Sequence, residues 1–465
     1  MIEITPNLDP SSRTPLYMQL TNYLKSEILL GRIKPQEKLP SKRHLANYLK
    51  LSLNTIQAAY DQLNAEGFVE SRPRKGLFVA ALEEFFQMEP GNFKTESASI
   101  KKCDLKIDFN SGRVDLTQFP YTAWRKLTIQ SLYEDQASVF YNGDPQGEWN
   151  LREEIANYLF ASRGVRCTAE QIIIGAGTQV LMNLLVLLIG KEHVYGLEEP
   201  GYHRVRTVLH HHGVPTVPIP LDEAGMEMGA LKESPATVAY VTPSHQFPMG
   251  MVMPIVRRME LLKWAEIKDG YIIEDDYDGE YRYKGKPIPS LQALDTLGRV
   301  VYLGTFSKSL IPSIRISYLV LPAKLIQTYQ DGFAIYKQTV SRLHQETLFR
   351  FMNEGYWQSH INKMRTLYRK KHKSLLAAID RLLGDQVEVI GEKSGLHLVL
   401  SVKNNMSEDQ LIQSAKRVGV KVYPLSIYFA TPREDPYPKV VIGFGGLSER
   451  ELEDGIELLK KAWVI

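Results

Sequence analysis

Cysteine is nearly absent. Cys103 and Cys167 are the only two in 465 residues, and they show neither the number of a disulfide framework nor the spacing of a metal or redox motif. That usage suits a reducing cytosol. Long apolar runs are missing as well: the most apolar stretch, Val180 to Ile189, is too short to cross a bilayer and is interrupted by Asn183, so it reads as a buried helix. Met1 to Pro10 carry two acids and no apolar core, so no secretory signal is expected. Nor is there a strong excess of one charge, since the net value is +3. With 44% hydrophobic and 23% charged residues the chain is not a disordered one. These absences predict a globular, cytoplasmic protein with no membrane partner.

The length predicts about two to four domains. The small basic excess lies at one end: residues 1–80 hold 11 Lys and Arg against 7 Asp and Glu, the remainder 45 against 46. This favours a nucleic-acid partner for the N-terminal segment. Leu16, Leu20, Tyr23, Leu24 and Ile28 recur at helical spacing between Pro15 and Gly31. A second helix is predicted from the N-cap Ser41, burying Leu45, Ala46 and Leu49, and a third from Ser52 to Gly67, burying Ile56, Ala59, Tyr60 and Leu63. Phe68 to Ser71, the basic turn Arg72-Pro73-Arg74-Lys75-Gly76 and Leu77 to Val79 then read as a hairpin. These are the parts of a winged helix-turn-helix, with the third helix in the major groove of double-stranded DNA and Arg72, Arg74 and Lys75 approaching phosphates or the minor groove. A small helical interaction domain with a solvated turn has the same periodicity.

Residue identities go further. Pro15-Leu16-Tyr17 through Leu39-Pro40-Ser41-Lys42-Arg43, then Leu51-Ser52-Leu53-Asn54-Thr55-Ile56, Ala59-Tyr60, Leu63 and Glu66-Gly67 resemble the DNA-binding domain of GntR-type bacterial regulators. The resemblance implies that Ser41, Arg43, Asn54, Thr55 and the wing glycine Gly76 face DNA. One position departs from it: an arginine usually follows the serine that opens the recognition helix, and here it is Leu53.

Residues 83–105 show no sustained period and read as a linker between a DNA-binding domain, 1–82, and a large domain, 106–465; Phe85-Phe86 within it reads as a docking contact. After Lys106, strand-like and helix-like segments alternate, the pattern of an α/β protein. Gly175-Ala176-Gly177-Thr178-Gln179 joins a strand to a helix, where backbone N–H groups could hold a phosphate or simply form a tight turn. Tyr202 and Arg204 follow another strand end, and Thr242 to Gly250, with His245 and Gln246, follow a third. Glu274-Asp275-Asp276-Tyr277-Asp278 fits a metal site, a solvated acidic turn, or one carboxylate holding a proton on a heterocyclic nitrogen; no second cluster with ligand spacing supports the metal.

Next comes Gly304-Thr305-Phe306-Ser307-Lys308, with Arg315 soon after. Pyridoxal 5'-phosphate (PLP) needs a lysine to hold it as an imine, a carboxylate at its pyridine nitrogen, a hydroxyl near its ring oxygen and a phosphate cup. Lys308, Asp275, Tyr277 and the Gly/Ser/Thr loops offer these in order.

Together with Tyr141 to Gly147 and Glu199-Pro200-Gly201-Tyr202, these motifs resemble fold-type I aminotransferases, and most of all the aminotransferase-like domain of MocR-type regulators, a GntR subfamily. The resemblance implies that Lys308 is the Schiff-base lysine and Asp275 the pyridine partner. Tyr277 would bond the ring oxygen and Tyr202 would pack near the ring or the effector. Gly177, Thr178, Gln179, Thr305, Ser307 and Arg315 would hold the phosphate, with Tyr141 reaching across from a second subunit. His245 or Gln246 would stand beside the ring, where aminotransferases carry an asparagine. Arg204 would bind an effector's carboxylate. The usual carboxylate-binding arginine of an Arg-x-Gly-Phe element is Val441 here, so Arg433 is the candidate substitute. The implied protein is a homodimeric, PLP-binding transcriptional regulator that senses an amino acid or related amine through an aldimine. A working aminotransferase with an attached DNA-binding domain, and a regulator whose effector is PLP itself, are the alternatives.

Overall fold

The computed structural model describes residues 4–6, 8–12, 14–81, 105–134, 138–283, 288–431 and 436–463, and the chain divides into two compact units, 1–101 and 102–465. Arg433 and the segment 83–104 lie outside the described residues.

In the first unit, α1 (Leu16–Leu29) starts behind Pro15, whose fixed φ suits a helix entry, and buries Leu20, Leu24 and Ile28 one turn apart. α2 (Lys42–Leu49) and α3 (Leu53–Ala65) each begin at a serine whose hydroxyl accepts an otherwise orphaned N–H: Ser41 from His44, and Ser52 from Thr55. β1 (Val69–Arg72) and β2 (Gly76–Val79) pair antiparallel with Arg72 opposite Gly76. The turn between them needs positive φ at Arg74 and Gly76, and only the glycine adopts it freely. One core of Leu20, Leu24, Leu45, Ile56, Leu63 and Val79 joins helices and hairpin.

The second unit opens with β3 (Ile107–Asp108), α4 (Tyr121–Glu134) and α5 (Trp149–Arg163). Its large sheet uses β4 (Ile172–Gly175), β5 (Tyr195–Glu199), β6 (Thr216–Asp222), β7 (Gly225–Met226), β8 (Val238–Val241), β9 (Tyr271–Asp276), β10 (Val300–Thr305) and β11 (Ser317–Val320). Their order is β4-β11-β10-β9-β8-β5-β6-β7. β10, β9, β8, β5 and β6 run parallel, while β11 and β7 run against their neighbours. β4, β8 and β10 read as largely apolar runs and are buried along nearly their whole length, whereas β9 ends in three acids. Helices between the strands include α6 (Thr178–Ile189), α7 (His203–His211), α8 (Met228–Glu233) and α9 (Ile255–Ile267). α6 carries the apolar run singled out in the sequence, and no described helix is long and apolar enough to cross a membrane.

A smaller sheet, β12-β13-β16-β15, follows later in the chain: β12 (Val387–Ile390), β13 (His397–Val402), β15 (Tyr423–Pro424) and β16 (Lys439–Gly443). β14 (Val420–Lys421) pairs parallel with β3, so the segment that begins this unit is fixed against its C-terminal part. The carboxyl ends of the parallel strands and one edge of the small sheet enclose a single crevice, the position where open α/β sheets bind ligands.

Candidate functional site

On the first unit, Arg43, Asn54, Arg74 and Lys75 are exposed, and Leu53 stands 48% exposed at the start of α3. Ser41 is occupied as a helix cap, and Thr55 is bonded to Ser52 at 2.8 Å. Arg72 is tied within its own unit: its guanidinium bonds Glu70 at 3.0 Å and lies over the Phe78 ring at 4.5 Å.

The crevice of the second unit has a volume of about 460 Å³. β9 decides its chemistry. Alternation along a strand sends Glu274 and Asp276 to one face and Asp275 to the other. Glu274 accepts the backbone N–H groups of Leu291 and Gln292 at 2.7 and 2.9 Å. Asp276 accepts from Arg163 and Tyr302, both at 2.6 Å. Asp275 faces the crevice, 4% exposed, with Tyr240 donating to its Oδ2, while its Oδ1 is buried without a partner. Burial pushes the Asp275 carboxyl up to about 7, against the pull of the Tyr240 hydrogen bond. The run therefore divides: Glu274 is satisfied by backbone, Asp276 is tied through Oδ2 to Arg163 and Tyr302 while its Oδ1 has no partner, and Asp275 and Asp278 line the crevice, Asp275 with one oxygen unpaired.

Lys308 follows β10 and projects into the same crevice, its amine donating to the carbonyl of Ser111. Desolvation brings the Lys308 ammonium down to about 8, with Arg204 adding to the effect and Asp278 opposing it. An amine so poised spends part of its time neutral near physiological pH, as a carbonyl-trapping lysine must. At one end of the crevice, Thr178 and Gln179 open α6, and Thr305, Ser307 and Arg315 face them. The Gly177 backbone, φ +102°, is approached so closely by Arg315 that a Cβ would stand 1.9 Å from its Nη2. Arg315 also bonds the Ala176 carbonyl at 3.0 Å, and the Ser307 hydroxyl oxygen is buried with no partner. A helix N-terminus, a guanidinium and the unpartnered Ser307 hydroxyl in one corner make an anion cradle.

Comparison with known proteins matches residues 16–79 to the bacterial regulatory proteins of the gntR family and residues 104–437 to aminotransferase class I and II. An uncharacterized HTH-type transcriptional regulator of Bacillus subtilis, YhdI, is 47% identical over 99% of this chain and 98% of its own length. The probable rhizopine catabolism regulatory protein MocR of Rhizobium meliloti is 33% identical over 98% of this chain and 95% of its own. The chain is a MocR-type member of the GntR family of transcriptional regulators. The fold of its second unit is that of fold-type I aminotransferases. Among solved structures, a Pyrococcus horikoshii kynurenine aminotransferase in complex with PMP superposes with a TM-score of 0.69 at 24% identity, covering 78% of this chain and 91% of that one.

In this MocR-type regulator several expected residues fall elsewhere. Neither His245 nor Gln246 lines the crevice. Gln246 turns its amide onto Glu198, the Pro200 carbonyl and the Phe247 carbonyl, bracing the loop, and the neighbouring Phe247 ring is what reaches the wall. His245 lies behind Tyr277. Tyr141 is 71% exposed and takes no part in the crevice of its own chain. Val441 is 1% exposed, packed with Val399, Leu425 and Tyr428, so the usual arginine position is closed by apolar side chains. Tyr202 and Arg204 do line the crevice. Sequence reading missed Tyr240, Ser111, His397, Tyr423 and Tyr428 as wall residues. Tyr240 carried a usable signal, lying in the strand just before the Thr242 loop; the others come from distant segments with none.

Proposed function

We propose that this regulator holds PLP through Lys308 and senses an amino acid or related amine in the same crevice. The observation that carries the reading is the pairing, across one cavity, of the Lys308 amine with a buried Asp275 oxygen that lacks a partner, in a chain that also bears a GntR helix-turn-helix. PLP supplies an electrophilic carbonyl carbon and an electron-withdrawing ring. Asp275 would face the pyridine nitrogen, and a cationic partner there removes the cost that now raises its pKa. Gly177, Thr178, Gln179, Thr305, Ser307 and Arg315 would hold the phosphate; Tyr202 would cover the ring and Tyr277 would donate to its oxygen. Arg204, with no arginine at position 441, is the cation for an effector carboxylate, and Arg433 the alternative.

PLP would supply a carbonyl for which an effector amine and Lys308 could compete, and Lys308, when not holding it, would remain in the crevice as a free amine. Regulation follows if the ligand binds two conformations unequally. The protein would act as a cytoplasmic homodimer on double-stranded DNA. Tyr133, Phe140 and Tyr141 are exposed large side chains that a second copy could cover, and Tyr141 would reach the partner's cavity. Ser41, Arg43, Asn54, Thr55, Arg74, Lys75 and Gly76 would meet DNA; Arg72, engaged by Glu70, would order the wing.

The test is DNA binding to the protein's own upstream region, with and without PLP and a panel of amino acids, in wild type and Lys308→Ala. The variant should keep basal DNA binding and lose both the visible absorption of bound PLP and the response to amines. Unchanged absorption in Lys308→Ala discards the assignment. Steady transamination at about 1 per second or faster would make the chain an enzyme instead.

A further inference from the structure

Tyr277 is backed by a pair of residues that cofactor binding leaves without a task. His245 Nδ1 lies 2.8 Å from the Tyr277 hydroxyl and 2.9 Å from Asp278 Oδ2. His245 and Asp278 are 2% and 3% exposed. Gly395 closes over both: a Cβ there would stand 1.9 Å from His245 Cε1 and 2.8 Å from Asp278 Oδ2. The imidazole is therefore held in place by backbone.

One nitrogen facing two oxygens forces a choice of proton. An ionised carboxylate only accepts, so Asp278 requires the hydrogen to sit on Nδ1; a lone pair there would face another lone pair. With Nδ1 protonated, the Tyr277 oxygen can accept from the imidazole but cannot donate to it. The tyrosine's own hydrogen must then point away, and Tyr277 lines the crevice. Remove Asp278's demand, and the imidazole can take the other tautomer and draw that hydrogen backwards. Among the described residues, the other titratable groups near the pair and Tyr277 are His397, whose ring centroid is 5.0 Å from that of His245, Tyr283, which donates to the Gly395 carbonyl, Glu198 and Asp276 at the strand ends, and Lys308 and Asp275 in the crevice.

We propose that Asp278 and His245 are positioning residues that set the Tyr277 hydroxyl as a hydrogen-bond donor into the crevice, toward the ring oxygen of PLP. The proposal rests on the cofactor reading. A donor at that oxygen withdraws electron density from it and weakens its hold on the imine proton formed with Lys308. The donor thus lowers the pH at which the imine deprotonates, and its loss raises that pH.

The experiment is a pH titration of the visible absorption of the full-length, PLP-loaded protein. Tyr277→Phe should raise the midpoint by about one pH unit or more. Asp278→Ala, which frees the imidazole to turn its Nδ1 lone pair to the hydroxyl, should raise it in the same direction, against the fall that loss of a negative charge alone would give. His245→Leu leaves the hydroxyl no acceptor behind it and should stay near wild type, and adding it to Asp278→Ala should abolish the rise. In the Tyr277→Phe background Asp278→Ala should no longer raise the midpoint, because its effect runs through the hydroxyl. If Asp278→Ala fails to fold, Asp278→Val carries the same test. A midpoint lowered by Asp278→Ala, or a rise that survives without the hydroxyl, overturns the proposal. Wild-type protein that gains no visible band with PLP would instead remove the cofactor reading itself, and with it this inference.

Discussion

Replacing Asp275 by asparagine keeps the side chain's shape and removes its charge. In the cofactor-free protein the Asp275 carboxyl is raised from 3.8 to about 7, chiefly by burial. The folded chain therefore binds more protons than the unfolded chain between about pH 4 and 7. Stability falls as pH rises through that window, and the loss is complete above about 7. The difference corresponds to about 4 kcal/mol as a ceiling; because water reaches the crevice, about 2 kcal/mol is the working figure. Asp275→Asn has nothing to titrate. Without PLP it should match wild type near pH 4 and be more stable by about 2 kcal/mol at pH 8. With PLP the order should reverse, because the asparagine cannot balance a protonated pyridine nitrogen. Urea unfolding followed by tryptophan fluorescence reads the second unit alone, since all five tryptophans, at 124, 149, 264, 357 and 463, lie there. Equal pH dependence in the two proteins, or an asparagine variant destabilised at pH 8 without PLP, would refute the reasoning.

Three further substitutions probe other parts. Gly177→Ala places a methyl 1.9 Å from Arg315 Nη2 at a φ of +102°, so PLP affinity by equilibrium dialysis should fall by about tenfold or more, at a backbone cost of about 1–3 kcal/mol. Val441→Arg, meant to restore the usual anchor, should instead destabilise the second unit by about 3 kcal/mol or more in denaturant titration, because β16 buries the side chain among Val399, Leu425 and Tyr428. Leu53→Arg adds an exposed cation at the opening of α3; affinity for DNA should rise, and the salt dependence should steepen by about one in the log–log slope.

Local chemistry made much of this protein legible in its amino acids alone. The caps at Ser41 and Ser52, the helical spacing of Leu20, Leu24 and Ile28 and the hairpin at Arg72 to Gly76 are short-range features, and a sequence displays them directly. The same holds for the order of strand-end motifs that brings Lys308 forward as the lysine to watch, and for the membership of both units in their families. Tertiary structure decided what each polar side chain faces. Four acids within residues 274–278 look alike in sequence; strand alternation gives two of them to Arg163 and to backbone N–H groups, and leaves Asp275 to the crevice. Lys308 meets Ser111 across 197 residues of chain, a contact no local period encodes. His245, read with Gln246 as one of two candidates for the ring's neighbour, stands behind Tyr277 because Gly395 and Asp278 fix it there. Periodicity reports which side of an element is buried, whereas the partner waiting on that side depends on sheet register and on strands hundreds of residues away. For that reason the residues of the site could be nominated from sequence, but their division into wall, brace and anchor had to come from the fold.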